Sequence, residues 1–433
     1  MDQIVSDNIL ASSFLFIWIL TLAWYQYRNT TFDAGSTVIA FYIVYAVFSI
    51  VTINDFYFSE YFLPLTLFPY IYLYIMMMIA LAPAVHHHLY PPKTIVSPNT
   101  RILKLTGILI VCCAFIQIPD IITNFQSGIV KLFLDSDAGK DAYDSHMEDA
   151  GDAGSAITNL PSVIYNSLFD LSIFIFFFFL TLKKKNKKLI MALGASIFIG
   201  TLIPIMNGLR GGVIISIQTI ICGYMLFRRY LSKQINRIAN IVGISTIILL
   251  SLPIIAISIS RFSQRNYGVM GAIYWYVGQG SLYFNNYGLD AGGIRYGDRT
   301  LNLVKRVIDP ENTPKNYIER RYKYPSLEID DYYYTTFVGD FTIDFGPITA
   351  FILFVLFFSW LLIEVRGHDN KIELHQMLLL YFSLCISIQG GMSLFYYSDT
   401  SNLRIITCFM LYTYLRYHEA LLKKFPLLPN KRP

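Results

Sequence analysis

Eleven apolar runs, most of them about twenty residues long, decide the solvent of this chain. A helix of that length crosses a hydrocarbon core of roughly 30 Å and satisfies its own backbone on the way. The runs cover 9–27, 36–53, 61–85, 105–122, 160–182, 189–206, 212–227, 238–259, 347–365, 374–388 and 403–417. Charge collects between them: charged residues make up 15% of the chain, where a soluble domain of this size carries about a quarter. The expected fold is all-α, a single integral membrane domain over 1–433 built as a polytopic helical bundle of about eleven transmembrane helices.

Lysine and arginine around short loops set the orientation. KKKNKK at 183–188, RRYLSKQINR at 228–237, RGHDNK at 366–371 and the tail LLKKFPLLPNKRP fall on one side if the runs alternate. That side is the inside, so the C-terminus is expected in the cytoplasm and the acidic start MDQIVSDN outside. The same start lacks the basic leader of a cleaved signal, so the first run is expected to stay as a span. Anchoring on an anionic leaflet accounts for the basic clusters and for the net charge of +5, which leaves nothing for nucleic acid to explain. Cys112, Cys113, Cys222, Cys385 and Cys408 all lie in apolar runs, so no external disulfide is expected. His86, His87 and His88 are adjacent and point in different directions around a helix. They read as a solvated helix end rather than a metal site. No internal repeat of the transporter kind is visible.

Two external connections are long. The first, 119–159, is acidic and rich in glycine and alanine. It lacks the spacing and closing glutamate of a calcium loop, and it reads as a solvated connector. The second, 261–345, has a length that is uncommon in a loop without function. It holds Arg261, Arg265, Arg295, Arg299, Lys305, Arg306, Lys315, Arg320, Arg321 and Lys323. Such cations either meet phosphate oxygens, which the guanidinium fork fits in pairs, or pair with nearby acids and water. Arg210, in the turn NGLRGG between two runs, is costly at a membrane edge unless it snorkels, meets an acid or holds an anionic ligand. Arg404, in SNLRIITCF, raises the same alternatives. The aromatics of IYWYVGQGSLYFNNY and DYYYTT fit an interfacial belt and equally a wall for the apolar face of a sugar.

The order of these features resembles the Wzy-type oligosaccharide repeat unit polymerases of bacterial surface polysaccharides. The resemblance rests on the R-G turn, then YFNNYGLDAGGIRYGDRTLNLV, then YYTTFVGDFTIDFG leading into a late span, and covers about 190–365. Gly297 and Thr300 match the family's G-x-x-T element, and Tyr334, Thr336, Asp344, Phe345 and Gly346 match the pattern that ends in D-F-G. Tyr332 or Tyr333 stands where the family has asparagine.

The resemblance implies a GT-C-like, lipid-dependent glycosyltransferase of the bacterial inner membrane, with both long loops periplasmic and no cofactor or metal. It would polymerise oligosaccharide repeat units carried on undecaprenyl pyrophosphate. Its partners would be that lipid-linked oligosaccharide, membrane lipid, and the flippase and chain-length regulator of the same pathway. Arg210, with Arg261 and Arg265, is expected to stabilise the departing pyrophosphate. Arg295, Arg299, Arg404, Tyr334 and Thr336 complete the expected substrate-binding set. Asp344 or Asp340 is expected to take the proton of the attacking hydroxyl. Asp344 has a second reading, as N-cap of the helix that opens at Pro347. A flippase for the same substrate would want its cations in a central cavity. An O-antigen ligase typically carries a histidine in its large outer loop, and this loop has none.

Overall fold

The apolar runs become helices because a lone chain in hydrocarbon has no other way to pair its backbone. The computed structural model describes residues 2–28, 31–90, 92–96, 100–119, 121–122, 160–206, 209–263, 265–366, 370–394 and 398–424. In chain order its long helices are α1 (Asp2–Arg28), α2 (Ala34–Ile53), α3 (Leu67–Leu89), α4 (Arg101–Ile116), α5 (Leu160–Thr181), α6 (Lys187–Met206), α7 (Arg210–Phe227) and α8 (Lys233–Phe262). Next come α9 (Gly268–Tyr287), α10 (Asn302–Ile308), α11 (Tyr317–Lys323) and α12 (Thr336–Phe345). The chain closes with α13 (Pro347–Glu364), α14 (Leu374–Gly390) and α15 (Asp399–Lys424).

Among the described residues eight helices are long and apolar enough to cross a membrane: α1, α2, α3, α5, α6, α7, α8 and α13. This is a multi-pass, mostly helical protein. The other three runs are also helical, but α4 and α14 have only 16 and 17 residues. The third, α15, opens on Asp399 and ends in basic residues. The expectation of about eleven spans therefore meets eight by length and composition. One short parallel pair interrupts the all-helical picture, Thr94–Val96 against Lys371–Glu373, with Ile95 opposite Ile372.

The phenylalanine-rich α5 and the short α14 are the inner struts, and Phe174, Phe178, Leu378 and Leu380 on them are fully enclosed. By contrast α8 leaves Ile241, Val242, Ile244, Ile248 and Leu249 exposed, the apolar surface that lipid covers. Helices meet through small residues and hydroxyls, as membrane interfaces do. Ser49 Oγ donates to Gly278 O at 2.7 Å and Thr52 Oγ1 to Tyr274 O at 2.7 Å, which fixes α9 along α2.

The 261–345 segment is a folded layer rather than a loop. Asn285 donates to Thr66 O (2.8 Å) and accepts from Thr66 N (2.9 Å), while Asn286 makes the same pair of bonds with Leu63 at 3.0 Å each. The two amides of YFNNY thus replace a neighbouring strand for the extended 62–66 stretch. The first long connection, 119–159, lies almost wholly outside the described residues.

Candidate functional site

The two separated motif halves meet in space. The α12 helix ends at Gly346, whose φ of +80° turns the chain into α13, and Gly346 itself is the N-cap with Pro347 at the first helical position. Asp344 caps nothing, contrary to its second reading. Its Oδ2 instead accepts from Thr300 N and Thr300 Oγ1, both at 2.7 Å. Its Oδ1 lies 2.6 Å from Arg295 Nε, an ion pair whose N–H is not aligned for a hydrogen bond. Backbone bonds run alongside, Arg295 N to Ile343 O at 3.0 Å and Gly297 N to Asp344 O at 3.2 Å. Gly297 has a φ of +80°, and a Cβ there would stand 3.0 Å from the Phe345 ring. Only glycine meets both demands.

Asp331, at the end of the loop that precedes α12, gathers the arginines. It pairs with Arg295, with Arg320 Nε at 2.5 Å and, more distantly, with Arg299 at 4.0 Å. Burial works to raise its pKa, but the three guanidinium groups prevail and hold the carboxyl well below the usual range. Arg299 also pairs with Asp340 at 2.7 Å, and Asp340 Oδ2 accepts from Leu394 N at 2.6 Å and Ser393 Oγ at 3.0 Å. Burial pushes the Asp340 carboxyl up, with Arg299 the main opposing charge. A third carboxylate, Asp298, accepts from Lys305, Lys323 and Tyr324, and these bonds together outweigh its burial and lower its pKa. Asp298, Asp340 and Asp344 are completely buried.

Asp340 and Asp344, the two candidate bases, are therefore enclosed and engaged with Arg299, Arg295 and Thr300 in this geometry. Arg295, 3% exposed, has two nitrogens, Nε and Nη2, with no hydrogen-bond partner among the described residues, Nε being held only by its ion pair with Asp344.

Thr336 opens α12 with a φ of +66°, rare for a β-branched residue, and its N–H donates to Met392 O at 2.8 Å. Backbone held in that region costs about 1–3 kcal/mol and persists where its surroundings over-determine it. Beside it, Tyr334 N donates to Gln279 Oε1 at 3.3 Å, and the Tyr334 ring lies 5.9 Å from that of Tyr276. Tyr276 leads to Arg210. The Arg210 guanidinium stands 4.3 Å from the Tyr276 ring centroid and 4.4 Å from that of Phe262, and its Nη1 donates to Ser258 Oγ at 3.2 Å. The arginine at the start of α7 is thus sandwiched by the end of α8 and by α9, one ring pair away from Tyr334.

The remaining expected site residues are dispersed. Arg265 is exposed in the turn between α8 and α9, and the side chain of Arg261, in the last turn of α8, lies outside the described residues. Arg404 stands apart on α15, where Nε donates to Asn166 O at 2.8 Å and Nη1 lies 3.5 Å from Asp170.

Most cations of 261–345 pair with acids of the same protein: Arg295, Arg299, Lys305, Arg306, Arg320, Arg321 and Lys323 all do so. The hub role of Asp331 was not foreseen. Its only signal is the lone pair of acids in IDDYYY among so many arginines. No group of three or more metal-ligating side chains occurs among the described residues.

Chemically the cluster offers guanidinium groups locked by carboxylates in an enclosed site, near the tyrosines of 332–334 and a stacked arginine. Fixed donors of that kind stabilise negative charge that develops nearby without reorganising. No family model matches this chain, and no curated protein and no solved structure is similar to it.

Proposed function

We propose that this protein is an inner-membrane glycosyltransferase that joins lipid-linked oligosaccharide repeat units into a surface polysaccharide, with eleven spans and its site on the outer face. The observation that carries the reading is the clasp between Gly297–Thr300 and Asp344–Gly346. The two elements on which the resemblance rests are 44 residues apart in sequence, and Thr300 and Asp344 bond directly. In this reading Arg210 faces the pyrophosphate and Arg295 and Arg299 extend the positive field, while Asp344 and Asp331 are positioning residues that hold those arginines. The anomeric C–O bond to pyrophosphate breaks, the acceptor hydroxyl bonds to the anomeric carbon, and the pyrophosphate leaves with the electron pair. The hydroxyl proton passes to a carboxylate. Asp340 is the carboxylate that suits that step: burial raises its pKa, and a raised pKa makes a stronger base.

The test is a gel ladder of surface glycan from cells that lack this chain and cells that carry it again. Collapse to a single repeat unit, reversed by the intact chain, is the expected result. Loss of every outer-face unit, with lipid-linked units retained inside, would overturn it in favour of a flippase.

A further inference from the structure

The aromatic rings of the 261–345 layer stand apart from the arginine cluster, and they are not scattered. Trp275, Tyr283 and Tyr287 recur at multiples of four along α9, a spacing that sets them on neighbouring turns. Asn285 and Asn286 hold that helix to the 62–66 stretch, so the rings of the connection between α2 and α3 meet those of α9. Phe58, Tyr61 and Phe62 surround Trp275 at centroid distances of 4.7, 5.5 and 5.7 Å. Tyr333 lies 6.2 Å from Trp275 and 4.6 Å from Tyr283, and Tyr287 lies 6.2 Å beyond Tyr283. In the other direction Tyr267 lies 5.1 Å from Phe58 and 6.2 Å from Phe262, one of the two rings stacked on Arg210. An unbroken line of ring contacts therefore joins Tyr287 to Arg210.

Phe58, Phe262 and Tyr283 are buried and form a floor, while Tyr61 is 57% exposed and Tyr267, Trp275, Tyr287 and Tyr333 are half-buried. The 20 residues of α9 give the tract a length of about 30 Å, which suits an oligosaccharide better than a single sugar. An interfacial belt would circle the protein. Here the neighbouring helix ends, at 160–166, 200–206, 210–216, 347–353 and 399–405, hold among them one tyrosine and no tryptophan, and that tyrosine, Tyr165, is fully enclosed. Charge argues the same way. The stretches that carry the rings, 54–66, 266–294 and 324–345, contain no lysine or arginine, and Glu60, Asp290 and Glu328 are exposed on them. Of the cations that border these stretches, Arg295 and Lys323 are paired with acids, and Arg265 stands exposed at the Arg210 end. An anionic leaflet finds little there to hold it. An uncharged glycan finds flat rings for its C–H faces, with phenol and carboxylate oxygens for its hydroxyls.

We propose that this tract binds the uncharged glycan of the growing chain, running from the pyrophosphate end at Arg210 toward Tyr287. The proposal rests on the polymerase reading for the direction of the glycan and not for the chemistry of the rings.

The test is binding by the full chain, in phosphatidylcholine nanodiscs, of fluorescently labelled fragments of the surface glycan of the cells that carry it, sized as one, two and four repeat units. Affinity is expected to rise with length. Trp275→Leu and Tyr333→Leu, which keep apolar contact and remove the flat ring, are each expected to weaken binding of the longest fragment by about tenfold. Trp275→Phe keeps a ring and is expected to keep most of the affinity, and Trp24→Leu, on the exposed side of α1, is expected to keep all of it, with every variant eluting as the parent does on size exclusion. The tract is overturned if no fragment binds, if affinity does not change with length, or if Trp275→Phe is as weak as Trp275→Leu, which would make the residue a packing element. It is equally overturned if phosphatidylglycerol nanodiscs abolish binding, because the rings would then belong to the headgroup layer, or if a proline decamer displaces the fragments, which would make the tract a peptide groove. Binding needs no turnover. Fragments bound by a chain that builds no ladder in cells would keep the tract and remove the polymerase reading, and a ladder without binding would do the reverse.

Discussion

Arg210 is stacked between two aromatic rings. Both lie within 4.4 Å of its guanidinium carbon and, with a serine hydroxyl, orient the fork at the start of α7. A desolvated cation over an aromatic face is worth about 2 kcal/mol, which serves to aim the group as much as to stabilise the fold. Arg210→Ala is expected to abolish chain growth on the glycan gel while the protein stays in the membrane at its normal level. Arg210→Lys keeps the charge but not the planar stack, and is expected to restore little. Normal polymer from Arg210→Ala would remove this residue from the site.

Asp331 allows a test by pH. Its folded pKa lies below the unfolded value of about 3.9, so the unfolded chain binds more protons through that range and stability rises with pH there. The contribution is complete above about pH 5 and is lost as the pH falls through the folded value. Asp331→Asn leaves three arginines facing one another, and breaking one partner from a buried pair costs about 3–5 kcal/mol. The melting temperature of the variant in detergent should fall well below that of the parent at pH 7, with the gap narrowing as both are measured toward pH 3. A constant gap would mean that Asp331 acts by packing and not by charge.

At the scale of elements, the spans were legible and the 261–345 layer was not. Apolar runs announce α1 through α8 because hydrocarbon leaves no alternative. The segment 261–345 carries no such signal. Its helices α10 and α11 have seven residues each, too short to hold without tertiary packing. Some of its cations meet acids close by, 7 residues for Lys305 and Asp298, but the sequence could not single out partners that lie far off, 36 residues in the case of Arg295 and Asp331. Chain order alone could not say whether the Asp344 of the D-F-G pattern caps the next helix or reaches back to Thr300. That depends on Gly346 taking the cap position at a φ of +80°.

The 261–345 layer depends on how closely α9 lies on α2. A Cβ on Gly278 would stand 2.3 Å from Thr52 Oγ1 and 2.4 Å from Phe48 O. The backbone oxygen cannot swing aside, so Gly278→Val must push α9 off α2, at a cost of about 1–3 kcal/mol for overpacking. Protease sensitivity of the 261–345 layer, read on membranes opened from the outside, should rise in this variant while the spans stay protected. An unchanged digestion pattern would mean that the contact is not what seats the layer.

For the whole molecule, contacts between connections test the proposed eleven crossings by parity. Arg228 Nη1 donates to Phe32 O at 3.4 Å, and Tyr230 donates to Pro92 O at 3.2 Å, so these three connections share a face. An even number of crossings must separate Phe32 from Arg228. The long apolar helices between them are α2, α3, α5, α6 and α7, an odd number, and α4 makes it even. The same argument holds for the strand pair at 94–96 and 371–373. Thr336 N bonds Met392 O at 2.8 Å across α13 and α14, so the proposed count requires α14 to cross as well. One end of α15 bonds the 261–345 layer through Asn402 and Thr300 O, and its other end reaches Glu364 through Arg416, at the opposite end of α13. By the same logic α9 does not cross, since Tyr267 at one end packs on Phe58 and Asn286 at the other bonds Leu63, both in one connection. Single cysteines in a chain otherwise freed of them make this measurable with an impermeant maleimide applied to spheroplasts. Lys93→Cys, Lys185→Cys and Lys371→Cys should resist labelling, and Asp290→Cys, Glu328→Cys and Ser398→Cys should accept it. Lys93 and Lys185 found on opposite faces would take α4 out of the membrane, and Lys371 and Ser398 found on one face would do the same for α14. A uniform reversal of all six would keep every crossing and invert the chain, against the charge of KKKNKK and RGHDNK.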